Sequence, residues 1–151
     1  MENRKITFKK KPIPLPAEYR PMYQISIIIL VLKYCCRGNT SSLHKLHLFS
    51  WCLYSESSMA KLICLRENNY KTELSHWSID PALNRALNYA VADGMCEMTT
   101  NQKYRLTKKG LALVAKIETD DDLFRKEKAF LKQIGKQITD EIVDKLTMKK
   151  I

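Results

Sequence analysis

Few side chains in this sequence have both the type and the spacing for chemistry. His44 and His47 stand three residues apart, which on a helix places both imidazoles on one side and permits metal binding. No carboxylate or cysteine stands beside the pair, and the first acid after Glu18 is Glu56. Packing or surface roles are therefore expected for these two and for His76. The acids Glu118, Asp120, Asp121 and Asp122 cluster. In the first turn of a helix they would complement the positive end of its dipole, and that capping role is expected of them. The five cysteines (Cys35, Cys36, Cys52, Cys64, Cys96) are odd in number and contain no CxxC pair. Free, mostly buried thiols in a reducing cytosol follow, and not a zinc site. There is no P-loop and no nucleophile motif, and four glycines are little material for a phosphate cradle. We expect no catalytic residue, no metal and no cofactor.

The remaining chemistry is that of binding. Lys and Arg number 26 against 16 Asp and Glu, a formal charge of +10 with a pI near 9.4. That balance suits nucleic acid, an acidic protein face or an anionic membrane surface. Its placement is uneven: a basic N-terminal stretch, an acid-free span from Tyr19 to Ser55, and acids gathered near the C-terminus. The candidate base readers are Asn84, Arg85 and Asn88, since Arg pairs bidentately with guanine and Asn with adenine. Lys103, Arg105, Lys108 and Lys109 are the candidate phosphate neutralisers. Lys9, Lys10 and Lys11, with Ile13 and Leu15, are candidates for docking on a partner.

The elements that would position these groups are legible from local signals. With 151 residues, 45% hydrophobic and 28% charged, the chain can bury roughly two-thirds of its unfolded surface in one core. Prolines 12, 14 and 16 forbid a helix, so residues 1–20 read as an extended basic arm. Pro21 opens a first helix, and Tyr23 to Cys35 is apolar nearly all round, as a core helix is. Gly38 is its left-handed stop. Ser41 or Ser42 caps a second helix running to about Tyr54, and Met59 to Arg66 is a third apolar segment. Glu67 to Ser78 reads as a loop or a short strand. Asp80-Pro81 starts a helix that Gly94 ends, with Leu83, Leu87, Ala90 and Val91 as its apolar stripe. Met95–Thr99 and Lys103–Leu106 form a hairpin around Thr100-Asn101-Gln102. Thr107 caps a helix from Lys108 to Ile117, and helices with Phe130, Leu131 and Ile134 and then Ile142, Val143 and Leu146 follow.

Helices, a hairpin and a further helix, in that order, imply a mainly α protein. The specific expectation is a winged helix-turn-helix domain over residues 21–118, with a C-terminal helical extension over 119–151. The Asp80 helix takes the recognition position, and Lys103 and Arg105 lie on the wing.

Arg20-Pro21, the helix ending Lys33-Tyr34-Cys35, Arg37-Gly38, and Ser42-Leu43-His44-Lys45-Leu46 with Trp51 resemble a known family. It is the middle component of three-component ABC-ATPase conflict systems, the group that includes Lamassu-type defence systems. Tyr104-Arg105-Leu106-Thr107-Lys108-Lys109-Gly110 and Glu127-Lys128-Ala129-Phe130-Leu131 sit where that pattern puts them. The resemblance spans most of Arg20 to Leu146 and rests on structural residues, so it carries over no catalytic set. It implies a non-catalytic winged-helix adaptor that joins an SMC-like ATPase to an effector, often a nuclease, in antiviral or anti-plasmid defence. Double-stranded DNA, held mostly nonspecifically, is a further partner that the basic face admits. The alternative is a stand-alone dimeric winged-helix repressor binding a palindromic operator.

The densest apolar run, Met22 to Leu32, contains Gln24 and Ser26 and ends at Lys33. It falls short of the roughly 20 residues a bilayer core requires, so no membrane partner is expected. The N-terminal Met1-Glu2-Asn3-Arg4-Lys5 leads into a Lys/Pro stretch without a hydrophobic region. A secretory signal is not expected, and a cytoplasmic location is.

Overall fold

The protein is built around one helix that is buried on every side. In the computed structural model the residues described are 21–146, apart from 72–79, together with the backbone of 147–150. Helix α1 (Pro21–Cys35) has Pro21 in its first position and is buried without interruption from Gln24 to Leu32. Helices α2 (Leu43–Cys52), α4 (Pro81–Ala92), α5 (Lys108–Glu118) and α6 (Arg125–Ile134) pack against it. Helix α3 (Glu56–Glu67) lies on α2, and so does α7 (Asp140–Lys150). Phe130, Leu131 and Ile134 of α6 and Val143 and Leu146 of α7 join the same hydrophobic cluster as α1. The C-terminal helices thus complete the core.

Three short strands accompany the seven α-helices among the described residues. They are β1 (Thr40–Ser41), β2 (Cys96–Met98) and β3 (Tyr104–Leu106), antiparallel in the order β1-β3-β2. The expected hairpin forms, with Met98 opposite Tyr104 and Cys96 opposite Leu106. Gln102 supplies the left-handed residue of its turn (φ 62°). Strand β1 was not anticipated. It pairs Thr40 with Arg105 and Ser41 with Tyr104, and a two-residue strand leaves no alternation to detect.

Local chemistry sets most boundaries. Asp80 caps α4 by accepting the Ala82 N–H at 2.9 Å. The same helix ends in a Schellman turn: Gly94 (φ 76°) donates to Val91 O and Met95 donates to Ala90 O. Its buried face is Ala82, Leu83, Ala86, Leu87 and Ala90. Val91, expected in that stripe, is 37% exposed, because it lies a step beyond Ala90 and Leu87 around the helix. Thr107 caps α5 by accepting from Gly110 N, and its own hydroxyl donates to Gly94 O. Gly110 is the most tightly enclosed of the four glycines, since a Cβ there would stand 2.1 Å from Met95 O. Glycine is required at that position for space and not for its torsion freedom.

The acid cluster corrects another expectation. Asp120, Asp121 and Asp122 precede α6 and do not occupy its first turn, which holds Glu127. Asp120 instead accepts from the backbone N–H groups of Asp122 and Leu123, and Asp122 pairs with Arg125. A short acid that accepts from amides just ahead of it favours a turn over a helix. Phe124, in the left-handed region (φ 53°), then redirects the chain and stacks obliquely on Tyr23.

Candidate functional site

The candidate base readers lie on α4, and the structure separates them. Arg85 and Asn88 project from its exposed face, as does Tyr89, and neither Arg85 nor Asn88 has a partner among the described residues. Asn84 points the other way. Its Oδ1 is 3.0 Å from His47 Nε2, and His47 Nδ1 accepts the Asp80 N–H at 3.1 Å. Because Nδ1 accepts, the ring proton resides on Nε2 and is donated to Asn84. His47 is 1% exposed, and burial holds its pKa below the ordinary value. It is a neutral bracket joining α2 to the N-terminus of α4. His44 is half-buried beside it, while His76 lies outside the described residues. No cluster of three or more His, Cys, Asp or Glu side chains is set to hold a metal among the described residues.

The candidate phosphate neutralisers are mostly engaged. Lys103 Nζ donates to Asp140 Oδ2 at 2.7 Å, tying the hairpin to α7. Arg105 donates twice to one oxygen of Glu97, its cross-strand neighbour, at 3.0 and 2.7 Å. Lys109 Nζ donates to Asp93 O at the end of α4, 2.7 Å away. Lys108 is exposed and makes no such bond among the described residues. Exposed pairs such as Arg105–Glu97 are weak and could open. They nonetheless neutralise much of the hairpin's positive charge. Lys9, Lys10, Lys11, Ile13 and Leu15 lie outside the described residues.

Two lysines that sequence reading passed over are buried. Lys45 is 3% exposed and donates to Cys35 O, the last carbonyl of α1, at 2.7 Å. Lys128 caps the end of α5 in the same way, donating to Ile117 O and Asp120 O at 3.1 and 2.7 Å. Each long stem packs in the core while its ammonium meets the negative end of a neighbouring helix. Nothing local marks such a lysine, since its partner belongs to another element.

Lys45 also borders a cleft of about 430 Å³ between β1, the hairpin and the start of α7. Arg37, Lys103, Lys136, Thr139, Asp140 and Glu141 line it as well. Asp140 accepts from both Lys103 and the Ser42 N–H (3.2 Å). Burial works to raise its pKa, but those two donors outweigh it and hold the carboxyl below the usual range.

Comparison with protein-family models, with curated proteins and with solved structures finds no match for this chain. No helix among the described residues is long and apolar enough to cross a membrane.

Proposed function

We propose that this chain is a non-catalytic winged-helix adaptor, a small subunit joining an SMC-like ABC ATPase to a nuclease or other effector in a cytoplasmic anti-phage or anti-plasmid complex. The element order supports the winged-helix reading. A helix, a short strand, further helices and a hairpin follow one another, and β3 of the hairpin pairs with β1. In this reading α4 is the recognition helix and the Met98–Tyr104 connection is the wing.

One observation carries the choice of adaptor over operator-binding repressor. Of the seven candidate DNA contacts, Asn84, Lys103, Arg105 and Lys109 are engaged within the protein. Arg85, Asn88 and Lys108 remain, too few for a palindrome reader. The outward side of α4 and the adjoining β2 expose Arg85, Tyr89 and Met98, the last two at 54% each. Arg, Tyr and Met are enriched where proteins meet proteins. Double-stranded DNA, when held, would be held nonspecifically.

The test is to tag the protein at native expression and identify what co-purifies. The adaptor reading expects a large coiled-coil ATPase and an effector. It also expects Arg85→Glu/Tyr89→Ala to release at least one of them. Recovery of the homodimer alone, footprinting its own promoter, would establish the repressor instead.

A further inference from the structure

The cleft beside the wing gathers more cations than carboxylates. Lys45 has three N–H donors, and one is used on Cys35 O. Among the described residues neither remaining donor has an acceptor, and the Asp140 carboxylate acts on this ammonium without a direct salt bridge. The negative end of α1 and the nearby Asp140 carboxylate balance this buried charge, and the two further N–H groups remain for a ligand. Arg37 and Lys136 stand exposed on the same lining without an acidic partner among the described residues. The four cations come from four segments: the turn after α1, α2, the wing and the α6–α7 connection. Their convergence is therefore tertiary, unlike a solvated charge run along one helix face.

One of the lining's own carboxylates is already held there. The half-buried carboxylate of Asp140 is bound by Lys103 and by the Ser42 N–H. The Thr139 hydroxyl oxygen accepts from the Ile142 N–H, which leaves its proton available to a ligand. Four cations against the two carboxylates Asp140 and Glu141 leave the lining net positive. The volume falls within the range of small-molecule pockets.

The geometry points to a binding site for a compact polyanion of the phosphate class, such as the di- or triphosphate of a nucleotide. Arg37 and Lys136 supply the free charge at its mouth and Lys45 the buried charge at its base. A duplex is a poorer occupant, because its line of phosphates would have to pass Asp140 and Glu141 on one rim. The site shares no residue with the outward face of α4 and does not rest on the adaptor reading.

Isothermal titration of the full-length protein with pyrophosphate, at fixed ionic strength, tests the proposal. Saturable one-site binding is expected, weakened about tenfold or more in Arg37→Ala/Lys136→Ala. Both side chains are exposed, so the fold should survive, and circular dichroism checks that it does. Lys61→Ala/Lys116→Ala removes the same charge from exposed positions elsewhere and should leave the affinity within about twofold. Equal weakening in both double variants would reduce the binding to net charge and overturn the site. So would no binding at millimolar pyrophosphate, or binding confined to duplex DNA.

Discussion

Replacing Asn84 by alanine separates a structural role from a base-reading one. In the folded protein His47 donates its Nε2 proton to Asn84 Oδ1 at 3.0 Å, while Nδ1 is held by the Asp80 N–H. Without Asn84 the imidazole cannot exchange tautomers to escape, because the Asp80 amide would then face a second donor. An N–H in a side chain 1% exposed is left without an acceptor, a loss of about 1–3 kcal/mol. Asn84 is itself half-buried, so water can partly replace its oxygen, and the lower half of that range applies. We expect about 1.5 kcal/mol, which lowers the melting temperature by roughly 5 °C. Urea denaturation followed by far-ultraviolet circular dichroism would show a lower midpoint at unchanged slope. The pH dependence is a second reading of the same bracket. Burial lowers the His47 pKa, opposed by the Asn84 bond and the Asp80 charge. The unfolded imidazole titrates near 6.5, so between the two pKa values the unfolded chain binds more protons. This contribution to stability is complete above the unfolded pKa and is lost as pH falls toward the folded one. His47→Leu should flatten that slope relative to the native protein. A destabilisation by Asn84→Ala below about 0.5 kcal/mol, with DNA affinity lost, would refute the bracket and make Asn84 a base reader.

Three further outcomes follow from packing and burial. Gly110→Ala should cost about 3 kcal/mol in chemical denaturation, since the new methyl meets Met95 O at 2.1 Å and Leu106 Cδ1 at 2.5 Å. Lys128→Met keeps the stem but leaves Ile117 O and Asp120 O without their donor. A loss of about 2 kcal/mol is expected in the same assay. Cys64 alone among the five cysteines is exposed. Burial pushes the Cys35 and Cys96 thiols up to about 12 and about 11. A thiol reagent should therefore modify one site rapidly in the folded protein and all five after denaturation, as counted by mass spectrometry.

What was legible followed from locality. Asp80-Pro81 and Gly94 mark both ends of α4 because cap, first turn and left-handed stop act within a few residues. Ser42 and Thr107 mark helix starts for the same reason. The run after Pro21, apolar nearly all round despite Gln24 and Ser26, announced a core helix, which is the position α1 occupies. The candidate site was legible only as residue types on a face. Asn84 and Arg85 are adjacent in sequence, yet one is turned into the α2–α4 junction and the other into solvent.

The sequence by itself determined where most helices begin and end, the hairpin and the mainly helical class. Each of these depends on torsion preferences, caps and periodicity within one element. Tertiary structure decided which charges are free. Lys103 meets Asp140 across 37 positions, Lys128 reaches the end of a preceding helix, and Lys45 shares a cleft with Arg37 and Lys136. Electrostatic energy depends on distance and burial, and neither is set by separation along the chain. The net charge of +10 names a class of partner, and only the packed chain shows which cations remain to meet it.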